Sequence, residues 1–175
     1  VKAVADKVTE VLTEETIPNP TTIYGKSKLK AEEYIRSHKI PDSKRVYILR
    51  HCMIHGHNNK GNLNLLYKII NSKIPSPLGK FNNSRSFLSI GNLCFAIEKL
   101  ISKQPNSGVY NLADNETLSV NELVTFIGET TNKPAKIFNA PKSVVKLVAK
   151  LGNNMPILLN QERLEKLTET YCVSN

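Results

Sequence analysis

The alternation of apolar and polar positions divides the chain into helices and strands that follow one another in turn. Thr21 and Thr22 are good N-caps after Pro20, and the helical pattern they open runs to about His38. Pro41, Asp42 and Ser43 form a turn, and RVYILRHCMI (45–54) is a nearly continuous apolar run of strand length. Such a run predicts a strand buried on both faces. HGHNNKG has no regular period. GNLNLLYKIINS predicts a helix with Leu63, Leu66, Tyr67 and Ile70 on one stripe. RSFLSI predicts a short strand, GNLCFAIEKLIS an amphipathic helix with Leu93, Ile97, Leu100 and Ile101 together, and GVYNLA another strand. Ser119 and Glu122 form a capping-box pattern that opens a helix to about Glu129. AKIFNA reads as a strand, helices follow near 141–152 and 157–169, and TYCVSN reads as a last strand. Helices and strands in alternation define an α/β class.

Composition narrows this little. The 175 residues are 40% hydrophobic and 22% charged, an ordinary globular balance for one domain or somewhat more. No apolar run reaches the roughly 18–20 residues that span a bilayer, and VKAVADKVTE lacks the apolar core of a signal peptide. Three widely spaced cysteines, Cys52, Cys94 and Cys172, suit reduced thiols in a cytoplasmic protein better than a disulfide frame or a zinc site. No metal is expected. The net charge of +9 raises a nucleic-acid reading, but the lysines are dispersed and aromatic residues make up only 6%. Anionic small molecules such as nucleotide phosphates account for the same charge more economically. Acidic surface carried by a segment outside these residues would account for it too.

Candidate chemistry begins in PTTIYGKSKLKAEEYI (20–35). Tyr24, Lys28, Ala31 and Ile35 fall on one helical stripe, which the pattern turns toward the protein. A lysine on such a stripe is either snorkelling or placed for a task. Tyrosine titrates near pH 10, so acting as a base near neutrality asks for about three pH units, roughly 4 kcal/mol. An ammonium a few ångströms away favours the phenolate, and the same ammonium can donate to ribose hydroxyls. Of the six tyrosines only Tyr24 has a lysine four residues on, and in a lysine-rich chain chance alone can produce one such pair.

The surroundings are more specific. P-x-x-x-Y-G-K-S-K-L-x-A-E resembles the active-site helix of the extended short-chain dehydrogenase/reductases, the NAD-dependent epimerase/dehydratase family to which the UDP-galactose 4-epimerases belong. The resemblance continues in order. LRHCMIHG is similar to the family's Leu-Arg-Pro-x-x-Val-Tyr-Gly strand. The stretch from KGNLNLLYKIINSKIPSPLGKF to NSRSFLSIGNLCFAI is similar to its substrate helix, Arg-Ser-Phe strand and Asn-Leu helix. GVYNLADNETLSVNELV is similar to its Tyr-Asn-Leu strand and following helix. His51 and His55 depart from the proline and tyrosine usual at those places. The reading of the histidines as hydrogen-bonded structural residues is the simpler one, and with His57 they make no convincing metal set.

The resemblance implies an α/β fold: the C-terminal portion of a Rossmann-like doubly wound parallel sheet plus a smaller α/β substrate-binding domain. It places residues 1–57 and 91–115 in the NAD-binding domain and 58–90 and 116–175 in the substrate domain. It implies Tyr24 as general acid/base and Lys28 as its partner, both also contacting NAD or NADP. Asn62 and Leu63 would meet the nucleotide of a UDP-sugar, and Arg85 would pair with its diphosphate, against a reading of Arg85 as a surface ion pair. The implied reaction is 4-epimerisation of a UDP-hexose or UDP-N-acetylhexosamine, with a 4-ketoreductase of surface-polysaccharide synthesis or a non-catalytic nucleotide-sugar-binding module as alternatives. Dehydratases carry glutamate where this alignment places Val1, so that branch weakens. The catalytic Ser/Thr is expected about two residues before Val1. The eight glycines are never closer than five residues, so the glycine-rich phosphate turn is not present in these 175 residues. The chain alone is therefore expected neither to bind NAD tightly nor to turn over a sugar. A homodimer in the cytoplasm, with no nucleic-acid or membrane partner, completes the expectation.

Overall fold

The computed structural model describes residues 1–8, 10–57, 62–152 and 160–175, with the side chains of Asn62 and Leu65 outside that description. The chain folds as two compact units. One comprises Val1–Gly56, Ser86–Thr117 and Tyr171–Asn175, and the other His57–Arg85 and Leu118–Thr170.

The first unit holds helix α1 (Ile23–Ser37), strands β1 (Tyr47–His51) and β2 (Met53–His55), most of β3 (Arg85–Ser89), helix α3 (Ile90–Lys103) and β4 (Gly108–Leu112). The second holds α2 (Asn62–Asn71), α4 (Val120–Thr130), α5 (Lys142–Leu151) and α6 (Gln161–Thr168). The two-residue strand β5 (Thr117–Leu118) lies between the segments of the two units.

The apolar run at 45–54 does not form one strand. It breaks at Cys52, whose amide still donates to Leu112 O at 3.1 Å, and the chain then changes neighbours. β1 pairs in parallel with β4, Tyr47 opposite Gly108 and His51 opposite Leu112. β2 pairs in parallel with β3 in a second sheet of order β2-β3-β5. Burial on both faces is not observed either: in β1 only Arg50 is buried and the others are half-buried or exposed. Among the described residues β4 pairs along one edge of β1 and no strand pairs along the other.

The core of the first unit is Val4, Leu12, Cys52, Leu88, Tyr171 and Val173. The last segment joins it by bridges at Tyr171, whose carbonyl accepts from the Ser86 amide, and at Val173, opposite Leu12, rather than as the strand its composition suggests. Ile137 likewise makes only a bridge, to Ser76, where AKIFNA read as a strand. In the second unit α2 packs on α4 and α6, and α5 on α6, around Leu66, Ile70, Leu78, Phe81, Val124 and Leu164. The capping box opens α4 as expected: Ser119 accepts from the Glu122 amide and Glu122 accepts from the Ser119 amide. α3 forms where its pattern places it but buries none of its residues, and Phe95 and Ile101 are 57% and 67% exposed.

Candidate functional site: a tyrosine–lysine pair on an anchored helix

Thr22 caps α1 by accepting from the Gly25 amide at 3.0 Å. The helix start is then fixed from outside by Asp6. One carboxylate oxygen accepts from the amides of Thr21 and Thr22 at 2.6 and 2.8 Å and from Thr21 Oγ1 at 3.0 Å. The other accepts from Thr22 Oγ1 at 2.6 Å. Burial pushes the Asp6 carboxyl up, but these bonds outweigh it and hold it well below the usual carboxylate range.

Further along, Glu32 forms a forked ion pair with Arg50 of β1. Arg50 Nη2 donates to Oε2 at 2.7 Å, and Nε lies 3.2 Å from each carboxylate oxygen. Gly25 and Glu32 are the only buried residues of α1. At Gly25 a Cβ would stand 2.7 Å from Pro20 Cβ and 2.8 Å from Lys2 O, so only glycine permits this approach.

These anchors set the rotation of α1, and it differs from the expected one. Tyr24, Lys28, Ala31 and Ile35 all face solvent, and the face against the unit is Gly25, Leu29 and Glu32, one residue round the helix. An ion pair and a glycine contact, not apolar spacing, decide which side is buried. Tyr24 and Lys28 stand side by side on the border of that face. Tyr24 is 61% exposed and Lys28 Nζ lies 5.4 Å from its ring centroid. Among the described residues, neither the tyrosine hydroxyl nor the lysine ammonium has a hydrogen-bond or ion-pair partner, so both are free to meet a ligand.

The C-terminal ends of the parallel strands carry a second polar cluster, on the side where ligands bind in such sheets. Asp114 accepts from the Ser89 amide at 3.0 Å and from Asn92 Nδ2 at 2.7 Å, and lies 3.4 Å from His55 Nε2. His51 Nδ1 lies 2.8 Å from Cys52 O. Both histidines are thus hydrogen-bonded within their unit, and no group of metal-ligating residues occurs among the described residues.

Arg85 and Leu63 belong to the second unit. The Arg85 guanidinium pairs with Glu169 at 3.2 Å and donates to the carbonyl of Lys166 at the end of α6. Leu63 is half-buried on α2, while the Asn62 side chain lies outside the described residues, as do Lys60 and Gly61. Sequence reasoning missed Asp6, Glu32 and Arg50. Glu32 continues the Tyr24–Lys28 row by four more residues, and Arg50 interrupts an apolar run, so both carried a signal. Asp6 acts on residues 15 and 16 positions away and carried none.

No profile of a known protein family matches the chain. A curated relative, the N-acetyl-alpha-D-glucosaminyl-diphospho-ditrans,octacis-undecaprenol 4-epimerase of Escherichia coli O157:H7, is 34% identical over 127 residues, 70% of this chain and 38% of that protein. Among solved structures, the UDP-N-acetylglucosamine 4-epimerase of Bacillus cereus superposes with a TM-score of 0.65 at 18% identity, over 84% of this chain and 55% of that one. The dTDP-4-dehydrorhamnose reductase of Bacillus anthracis, solved with NADP, gives 0.63 at 17% identity, over 82% and 49%. The fold is thus the α/β, Rossmann-like fold of the NAD-dependent nucleotide-sugar enzymes, matched over part of their length. The chain is thus similar to a sugar 4-epimerase over part of its length, as its motifs implied, and spans about four-tenths of the curated relative and half of the solved ones.

Proposed function

We propose that the protein is an NAD(P)-dependent 4-epimerase of a diphosphate-linked hexose or N-acetylhexosamine. The first unit would be the second half of the cofactor domain and the second the sugar-nucleotide domain. The observation that carries the proposal is the Tyr24–Lys28 pair, unpartnered and side by side on a helix held at both ends. Tyr24 would take the proton of the sugar 4-hydroxyl as the C4 hydrogen leaves, and return it to the same oxygen when that hydrogen is redelivered to the opposite face of C4. Lys28 would favour the phenolate and donate to the nicotinamide ribose. The nicotinamide, when bound, supplies the hydride acceptor. The free side chains fit its ribose end, whereas these 175 residues contain no glycine-rich turn for the pyrophosphate.

Arg85 enters as the diphosphate ligand, exchanging its contact with Glu169 for phosphate oxygens, while Asn62 and Leu63 line the nucleotide. A homodimer in the cytoplasm fits the same reading: Ile23, Tyr34 and Ile35 give α1 an exposed apolar face that a second copy can cover.

The test is turnover of UDP-N-acetylglucosamine with NAD by the natural full-length polypeptide and by Tyr24→Phe. The variant should lose roughly 10²–10⁴-fold in kcat while still binding the sugar nucleotide. Near-normal turnover would remove Tyr24 from the chemistry. A 4-ketoreductase, which the reductase neighbour keeps in view, would instead consume reduced cofactor in proportion to product. A specific observation favours a second substrate: the 34% identical relative acts on a sugar diphosphate carried by undecaprenol. Offering the lipid-linked and the UDP-linked sugar side by side decides between carriers.

A further inference from the structure

Helix α5 has three faces. Val145 and Ala149 are buried in the second unit. Val144, Leu147, Val148 and Leu151, at i, i+3, i+4 and i+7, form one unbroken apolar stripe, yet they are 51%, 60%, 48% and 58% exposed. Lys142, Lys146 and Lys150 form a third row, four residues apart, on the side of the helix away from that stripe. Lys142 Nζ lies 5.5 Å from the Phe81 ring centroid, while Lys146 and Lys150 have no ion-pair partner among the described residues. Isolated exposed apolar residues are ordinary, but four in one stripe on a ten-residue helix are not.

The combination is that of a helix lying in a membrane interface: an apolar stripe to enter the acyl boundary and a cationic row to hold anionic headgroups. The chain's net charge of +9 adds long-range attraction of the same sign. No described helix is long and apolar enough to cross a membrane, and α5, with ten residues, is of a length to lie in the plane of the interface. We propose that α5 docks the second unit onto an anionic membrane surface through Val144, Leu147, Val148 and Leu151, with Lys146 and Lys150 meeting the headgroups. The contact does not depend on the catalytic reading. It would bring the sugar unit to the surface where a lipid-carried diphosphate sugar resides.

Co-sedimentation of the purified protein with vesicles of mixed phosphatidylglycerol and phosphatidylcholine tests this without any turnover. Wild type should sediment with them, more weakly when salt is raised, and poorly with phosphatidylcholine alone. Leu147→Ser/Leu151→Ser and Lys146→Glu/Lys150→Glu should each lower the apparent affinity on the order of tenfold. All four side chains are exposed, so the variants should keep the wild-type circular dichroism and melting temperature. If the serine pair does not fold, the lysine pair decides alone. Failure of wild type to sediment with anionic vesicles, or undiminished binding by a folded variant, overturns the proposal. So does sedimentation velocity showing that the serine pair breaks up a wild-type oligomer, because the stripe would then be a contact between copies.

Discussion

Replacing Glu32 by alanine removes one half of the ion pair that holds α1. Arg50 is left 2% exposed with no carboxylate, and a guanidinium cannot shed its proton to escape. Its Nη1 already lacks a hydrogen-bond partner among the described residues, so no spare acceptor stands ready. At about 4 Å between charge centres and an effective dielectric near 20, the lost attraction is about 4 kcal/mol. Breaking one partner of a buried pair costs about 3–5 kcal/mol in general, and the two figures agree. Against a total stability of roughly 5–15 kcal/mol for a domain, a loss of about 4 kcal/mol removes between about a quarter and four-fifths of it.

Urea unfolding followed by circular dichroism should show the loss as a lower midpoint at unchanged slope. Hydrogen exchange should place it, because α1 has only Gly25 and Glu32 buried and its amides should lose protection first. The double replacement Glu32→Met/Arg50→Met should return to within about 1–2 kcal/mol of wild type, since neither charge is then stranded. A loss below about 1 kcal/mol in Glu32→Ala, or a double variant no better than the single one, would refute the assignment of the pair as the anchor of α1.

Further expectations are narrower. Asp6→Asn should cost ~1 kcal/mol. The folded carboxyl of Asp6 is depressed, so its contribution is whole above the unfolded pKa near 4 and is lost as pH falls through the folded value. The difference between wild type and variant should therefore begin to shrink as pH falls below about 4 and vanish only below the depressed folded value. Burial lowers the Val1 amino group to about 6, so between that value and about 8 the unfolded chain binds more protons. The melting temperature of a polypeptide beginning at Val1 should rise over that interval, and acetylating the amine should abolish the rise. Arg85→Ala should weaken UDP more than uridine in calorimetry, because only UDP carries the diphosphate; equal losses would show that Arg85 serves the α6 contact alone.

What could be read from the sequence, and what could not, is clearest on α1. Its limits and N-cap follow from Thr22 and the apolar period, which are local and need no partner. Which face it buries does not, because that is settled by Arg50, 18 residues from Glu32, and by a glycine whose neighbour, Lys2 O, lies 23 residues back. Periodicity ranks faces by apolarity, so it chose Ala31 and Ile35 and passed over the glutamate beside them. The same blindness explains 45–54: ten apolar-rich residues look like one buried strand, but a single turn of direction at Cys52 gives its halves to two sheets.

α3 and β1 add one more step. α3 reads correctly as amphipathic and yet buries nothing, and β1 leaves an edge unpaired. On that edge the Val1 amino group donates to His51 O at 3.2 Å, and Cys52, one residue on, turns its own amide to β4. Peptide groups alternate along a strand, so Tyr47 and Leu49 present theirs on the same side as His51. Among the described residues that edge therefore offers peptide groups to which a further strand can pair. These 175 residues also contain no glycine-rich turn for a pyrophosphate, so alone they should give no heat with NAD in calorimetry. Micromolar binding of NAD by this chain at defined stoichiometry would show instead that the cofactor is held without such a turn.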